Sequence, residues 1–284
     1  MPFVVPFSII VVLYYTMYYY KSKKRGKDSS QTYTEDYYAA NREEAWSSAR
    51  VIVPLVLELV QPRSVVDVGC GLGAWLAVFK EHGVDDTWGL DGKYVDKNRL
   101  EIPEERFILA DLGRPFHLDR TFDLVVSLEV AEHLPSESAE IFVDTLTHLG
   151  PLVLFSAAIP YQAEKKHGHV NEQWPEYWAE LFADRGYVAI DCLRRKLWYD
   201  QNAKEHYAQN TLMFAKREHL DNQPLLYEEF KLRGDSPLSL VHPRTYMRVI
   251  EERKISTRFV RRVKTLVPPR AKRFVRAALS LTRN

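Results

Sequence analysis

The chain has 284 residues, 46% hydrophobic and 27% charged, which is enough for one α/β domain with a sizeable core and further segments beside it. A formal net charge of +1 argues against a protein dominated by nucleic-acid binding, and no DNA- or RNA-reading motif is present. The two cysteines, Cys70 and Cys192, show neither a disulfide framework nor a zinc spacing and read as reduced packing residues, as in a cytosolic protein.

Phe3 to Tyr20 is an uncharged run of about eighteen residues, near the short limit for spanning a bilayer. Tyr14, Tyr15, Tyr18, Tyr19 and Tyr20 gather at its end, and Lys21, Lys23, Lys24, Arg25 and Lys27 follow at once. Interfacial aromatics followed by cations predict a single anchor whose following domain lies on the cytoplasmic side of a membrane. A removable signal peptide fits less well, since no basic segment precedes the run and no small-residue cleavage site ends it. Pro2 and Pro6 weaken a continuous helix there. Residues 1–28 are thus expected to be an anchor with a basic flank, 29–220 the globular α/β domain and 221–284 a basic tail.

A helical pattern runs from about Tyr37 to Leu59 and is closed by Pro62. Val65 to Val68 then forms an apolar run containing Asp67, and it breaks into the turn Gly69-Cys70-Gly71-Leu72-Gly73 before a helix over Ala74 to His82. A buried strand that ends in three spaced glycines and restarts as a helix lets backbone N–H groups approach a ligand closely. Thr87 to Gly92 reads as a second strand ending in Asp91, Phe107 to Leu112 as a third containing Asp111, and Phe122 to Leu134 as a fourth with its following loop. Ser136 to His148 reads as a helix with Ser136 and Glu137 as its cap signal, and Leu152 to Ser156 as strand five. A helix over Glu176 to Arg185, stopped by Gly186, precedes late strands at Tyr187 to Leu193 and Asn210 to Lys216. Such alternation predicts a parallel sheet with helices on both faces.

The Asp-x-Gly-x-Gly-x-Gly block and the acids that follow it in order resemble the class I S-adenosylmethionine-dependent methyltransferases, over about residues 31 to 217. The Glu129-x-x-Glu132-His133 run is similar to one in ubiquinone-type O-methyltransferases, within the small-molecule branch of that class. The resemblance implies a Rossmann-like α/β sheet with a reversed last strand. It implies S-adenosyl-L-methionine as cofactor: Gly69, Cys70, Gly71 and Gly73 beside its amino-acid part, Asp67 orienting that loop, Asp91 with Gly92 at the ribose, Asp111 with Leu112 at the adenine, and Glu129 toward the reacting methyl. A helix before the first strand often covers the pocket in this class, and Tyr33, Tyr37, Tyr38 or Trp46 could act as its lid. For Trp46, simple packing on the sheet is the preferred reading.

An oxygen acceptor must lose a proton, so a base marks that chemistry. His169, in the block His167 to Pro175, and His133 are the candidates, with Glu129 as the third catalytic residue. No metal ligand is assigned, although Glu129, Glu132 and His133 form a carboxylate and histidine group whose ends would share a helical face. Lys165 and Lys166 could meet an anionic acceptor, but a charge run is more often a solvated loop. Beyond about Leu220, cations from Arg253 to Arg276 alternate with apolar residues around Pro268 and Pro269, a pattern for short amphipathic helices on an anionic membrane surface. The expected acceptor is a small molecule, sugar or lipid-linked compound, without a specific nucleic acid. The rival readings are an NAD(P)-dependent oxidoreductase, since Gly69, Gly71 and Ala74 also satisfy the dinucleotide spacing, and a non-catalytic cofactor-binding scaffold.

Overall fold

A computed structural model describes residues 35–162, 168–234 and 236–251. The anchor run, Tyr33, Lys165, Lys166, His167 and the basic pattern from Arg253 onward lie outside them, as do the side chains of Tyr37 and Tyr38. The described residues up to Tyr246 make one compact unit. Among the described residues no helix is long and apolar enough to cross a membrane.

The unit opens with α1 (Glu35–Leu59), which carries Pro54 inside it, and continues into β1 (Ser64–Val68), α2 (Ala74–Glu81) and β2 (Asp86–Asp91). Next come β3 (Phe107–Leu109), β4 (Leu124–Leu128), α3 (Ala139–Leu149), β5 (Leu152–Ser156), α4 (Pro175–Ala183) and β6 (Tyr187–Ile190). Two short helices, α5 (Arg194–Leu197) and α6 (Glu205–Asn210), lead into β7 (Leu212–Lys216), followed by α7 (Arg217–Leu220) and α8 (Pro224–Arg233). The seven strands lie in the order β3-β2-β1-β4-β5-β7-β6. β7 is antiparallel to both β5 and β6, and the other strand pairs are parallel, which is the expected sheet with a reversed last strand.

Strand residues alternate between two buried faces, so both need cover. Val65, Leu124, Val126, Leu154 and Met213 face α1, α2 and the α5–α6 region, whereas Val66, Val125, Val153 and Phe214 face α3 and α4. On the second face Phe182 and Phe214 stack at 3.9 Å between ring centroids, with Phe155 edge-on to both. Both cysteines are buried free thiols.

Two local readings change. Ser136 and Glu137 do not cap α3: Pro135 turns the chain into a single 3-10 turn over Ser136–Ser138, the Ser136 hydroxyl donates to Glu137 instead, and the helix begins at Ala139. The two late strands end and begin earlier and later than their apolar runs suggest. Residues between them coil into α5 and α6, where Arg194 is fully covered and donates to the carbonyls of Gln209 and Leu238 and to Asp191. The packed unit also continues past Leu220, since Leu226, Leu238 and His242 are buried and the Ser239 hydroxyl donates to Glu176.

Candidate functional site

The C-terminal ends of β1, β2 and β4 converge on the glycine turn. Gly69, Gly71 and Gly73 all have positive φ, at 90°, 54° and 94°, in the left-handed region that favours glycine. A Cβ on Gly69 would lie 2.3 Å from Val130 and one on Gly73 2.9 Å from Ile102, so these two glycines let side chains close on the turn. A Cβ on Gly71 would meet nothing within 4 Å, so the turn is open above its main chain. The N–H groups of Gly69 and Cys70 donate to the Leu90 carbonyl at 2.8 and 3.2 Å, which ties the turn to β2.

Asp91 holds the turn directly. Its carboxylate accepts from the N–H of Gly71 at 2.7 Å, from the N–H of Gly92 at 2.6 Å and from the Tyr94 hydroxyl. Burial pushes its carboxyl above the usual range, and those three donors pull it back. Asp67, expected to orient the loop, is buried on β1 with Oδ2 unpartnered. Burial, with the neighbouring Asp91 charge, pushes the Asp67 carboxyl well above its ordinary range. The same burial, reinforced by Asp67 and Asp91, pushes the Cys70 thiol far up, so it is an inert wall of the turn. Asp111 is exposed and accepts from the Gly113 N–H at 3.1 Å, while Leu112 beside it is buried.

Trp46 packs against the α1 core face, with the Arg50 guanidinium 4.9 Å from its ring centroid, in line with the packing reading. Arg42 of α1 pairs with Glu101, whose own N–H donates to the Leu72 carbonyl, so α1 is fastened to the rim of the glycine turn.

Glu129 follows β4 at φ 55°, an unusual conformation for a residue with a side chain. Its N–H donates to Ser156, and its carboxylate accepts from Gln162 at 2.8 Å and Asn210 at 3.0 Å. These amides continue to Gln209, which accepts from the N–H of His242 at 2.8 Å. Gln162, Asn210 and Tyr94 carried no sequence signal as site residues, because single amides and a tyrosine in loops match no spacing rule.

Glu129 and His133 do not share a helical face. Residues Ala131–His133 make only one 3-10 turn, and the group that comes together is Glu132, His133 and His169, with candidate donor atoms all within 4.8 Å of one another. The His133 and His169 rings meet edge to face at 4.7 Å. Glu132 is fully buried, neither of its carboxylate oxygens has a hydrogen-bond partner, and burial beside Glu129 pushes its carboxyl well up. The amides of Glu132 and Ala158 act in the opposite sense without completing a regular hydrogen bond. His169 Nδ1 lies 2.9 Å from Glu172 Oε1, a partner visible in the sequence only as a spacing of three.

The family model for a methyltransferase domain matches residues 38–192. The chain belongs to this family, and it is an S-adenosylmethionine-dependent methyltransferase. S-adenosyl-L-methionine is its cofactor. No curated protein matches the chain. Among solved structures, DesVI of Streptomyces venezuelae is 25% identical with a TM-score of 0.38, over 45% of this chain and 57% of that one. An S-adenosylmethionine-bound amino pentose methyltransferase from Micromonospora echinaspora is 16% identical with a TM-score of 0.45, over 65% of this chain and 98% of that one. Magnesium protoporphyrin IX methyltransferase from Synechocystis, also with the cofactor bound, is 17% identical with a TM-score of 0.44, over 75% of this chain and 98% of that one.

Proposed function

We propose that this protein transfers the methyl group of S-adenosylmethionine to an oxygen of a small-molecule, sugar or lipid-linked acceptor. One observation carries the cofactor side: two buried acids, Asp67 and Asp91, adjoin an open glycine turn. Buried carboxylates favour a cationic ligand, whereas the pyrophosphate of a dinucleotide would bring two more negative charges beside Asp67. That weighs against the NAD(P)-dependent reading.

In this assignment Gly69, Cys70, Gly71 and Gly73 line the amino-acid end of the cofactor, Asp67 supports its positive charge from below, and Asp91 with Gly92 takes the ribose. Asp111 and Leu112 flank the adenine. The bound cofactor supplies an already activated methyl group. The chain's task is to align the acceptor, keep water out and let the acceptor's proton leave. Glu129, held by Gln162 and Asn210, stands at the methyl end, and the proton leaves on the side of His133 and His169.

Incubating the full-length protein with methyl-labelled cofactor and a cell extract tests this reading. A labelled metabolite heavier by one methyl is expected. Cofactor binding without any labelled product would favour the non-catalytic scaffold.

The apolar run Phe3 to Tyr20 and the cations after it support a tether to the cytoplasmic face of a membrane, which would place the enzyme near lipid-linked acceptors. Alkaline extraction of membranes is the check: a tethered protein stays in the pellet, and complete release of the full-length chain would end that proposal.

A further inference from the structure

We propose that Gln209 is a positioning residue for methyl transfer: it carries the direction of the His242 main-chain N–H to Gln162 and Asn210, which aim their amide groups at Glu129. Both ends of this chain of contacts allow one direction only. A main-chain N–H can only donate, so the Gln209 atom 2.8 Å from the His242 nitrogen is Oε1. That turns Gln209 Nε2 toward Gln162 Oε1 at 3.2 Å and Asn210 Oδ1 at 2.8 Å. With their oxygens engaged there, the two amides present nitrogen to Glu129, Gln162 to Oε2 at 2.8 Å and Asn210 to Oε1 at 3.0 Å. A carboxylate at that far end accepts, so the directions set from the two ends agree.

Gln162, Gln209 and Asn210 are all buried, and water does not stand in for a partner that one of them loses. Turning one amide over would set donor against donor and oxygen against oxygen at its contacts. The His242 end is itself fixed. Its ring is buried, with Nε2 2.8 Å from the Trp198 carbonyl and Nδ1 accepting the Arg244 N–H at 3.1 Å. Arg194 donates to the carbonyls of both Gln209 and Leu238, which ties α6 to the segment that carries His242. At the other side of the chain, the Ile159 N–H steadies Gln162 through Oε1 at 3.3 Å.

This deepens the proposed function and rests on it in one respect, that Glu129 stands at the methyl end. The two amides fill one lone-pair direction on each Glu129 oxygen, and the remaining directions receive the hydroxyl hydrogen of the acceptor. A carboxylate held in this way keeps the attacking oxygen in line with the methyl group, where a misplacement of about 1 Å costs on the order of 100-fold in rate. Gln209, Asn210 and His242 lie beyond the residues 38–192 that match the methyltransferase domain, so the aim of Glu129 is set from the part of the chain outside that match.

The test uses full-length protein labelled with 15N in its glutamine and asparagine side chains, with the Gln162 and Asn210 signals assigned by single substitution. Gln209→Met keeps the length of the side chain and removes its donors and its acceptor. Both amide signals should shift in that variant. Label transfer from methyl-labelled S-adenosylmethionine into a cell extract should fall about 10- to 100-fold, while calorimetric affinity for S-adenosylmethionine stays within about twofold. Gln209→Asn, one methylene shorter, should show the same pattern with a loss of about fivefold or more, and it remains informative if Gln209→Met unfolds. Unmoved Gln162 and Asn210 signals, or transfer at the wild-type rate in a folded variant, would overturn the role. So would a rate and a cofactor affinity that fall together, the mark of a residue that only supports the fold. If the wild-type protein binds cofactor and labels nothing, the failure lies in the proposed function, and the spectra still decide whether Gln209 directs the amides on Glu129.

Discussion

Asp91 Oδ2 accepts the N–H of Gly71 at 2.7 Å, so the acid that ends β2 also braces the turn that follows β1. On the proposed assignment the same carboxylate also takes the ribose, so its loss should affect cofactor affinity twice. Asp91→Ala should weaken S-adenosylmethionine binding by about 10- to 100-fold, the range for losing hydrogen bonds to a charged group. Isothermal calorimetry reads it directly, and unchanged affinity would remove the ribose assignment.

Tyr94 occupies the other Asp91 oxygen with its hydroxyl, although its ring is largely exposed. On the proposed assignment a ribose hydroxyl has to displace that donor. Tyr94→Phe should therefore tighten cofactor binding, by up to about fivefold for one hydrogen bond no longer broken. Weaker binding would show that the tyrosine instead contacts the ligand.

Gly69 and Gly71 separate folding from binding. An alanine at Gly69 meets Val130 at 2.3 Å on top of a left-handed backbone, and it should cost several kcal/mol, roughly the sum of overpacking and backbone strain. An alanine at Gly71 carries only the backbone strain, about 1 kcal/mol, because open space surrounds it. Thermal melts should show Gly71→Ala folded near wild type yet defective in cofactor binding, with Gly69→Ala strongly destabilised. Equal melting temperatures would contradict the geometry.

Asp67 gives a pH signature. Its folded-state pKa is raised by burial and then by Asp91, so the fold favours its neutral form. Stability linked to this residue is intact at low pH. It declines as pH rises from the unfolded carboxyl value, about 4, toward the raised folded value. Asp67→Asn removes that loss. The variant without cofactor should melt above wild type at pH 7, with the gap shrinking toward pH 4. A gap that widens on acidification would reverse the sign.

Arg194 donates to the carbonyl of Leu238, far along the chain, and Glu176 accepts from the N–H groups of Leu238 and Ser239 at 3.1 and 2.8 Å. A chain ended after Leu220 should thus melt well below one ended after Glu251, since it leaves a buried guanidinium short of an acceptor. Coincident melting curves would show the 221–251 segment to be dispensable.

The succession of strands along the chain and the glycine turn were legible because apolar runs and turn glycines are local properties, whereas the reversed last strand was implied by the family resemblance. The end of the third strand and the helices between β6 and β7 were not. β3 keeps only Phe107–Leu109 of its run: the Ala110 N–H still donates to the Asp91 carbonyl, and the chain then turns at Asp111, whose carboxylate accepts from the Gly113 N–H. α5 forms around Arg194, whose burial depends on carbonyls of Gln209 and Leu238 that no local window contains. In the site, Asp91 was found by its strand end. Gln162 and Asn210 were missed because their meeting with Glu129 is set by the reversed strand. His133 and His169 were named separately, and their juxtaposition follows from two N–H groups on the Glu132 carbonyl.

The reversed strand also sets an order for synthesis. β5 and β6 never pair with each other, and both wait for β7. As the chain leaves the ribosome, the side of β5 that will receive β7 stays bare until residues 212–216 emerge. That apolar edge is a template for self-association in the nascent chain. Ribosomes stalled before Leu212 would carry a sticky half-sheet in need of a chaperone.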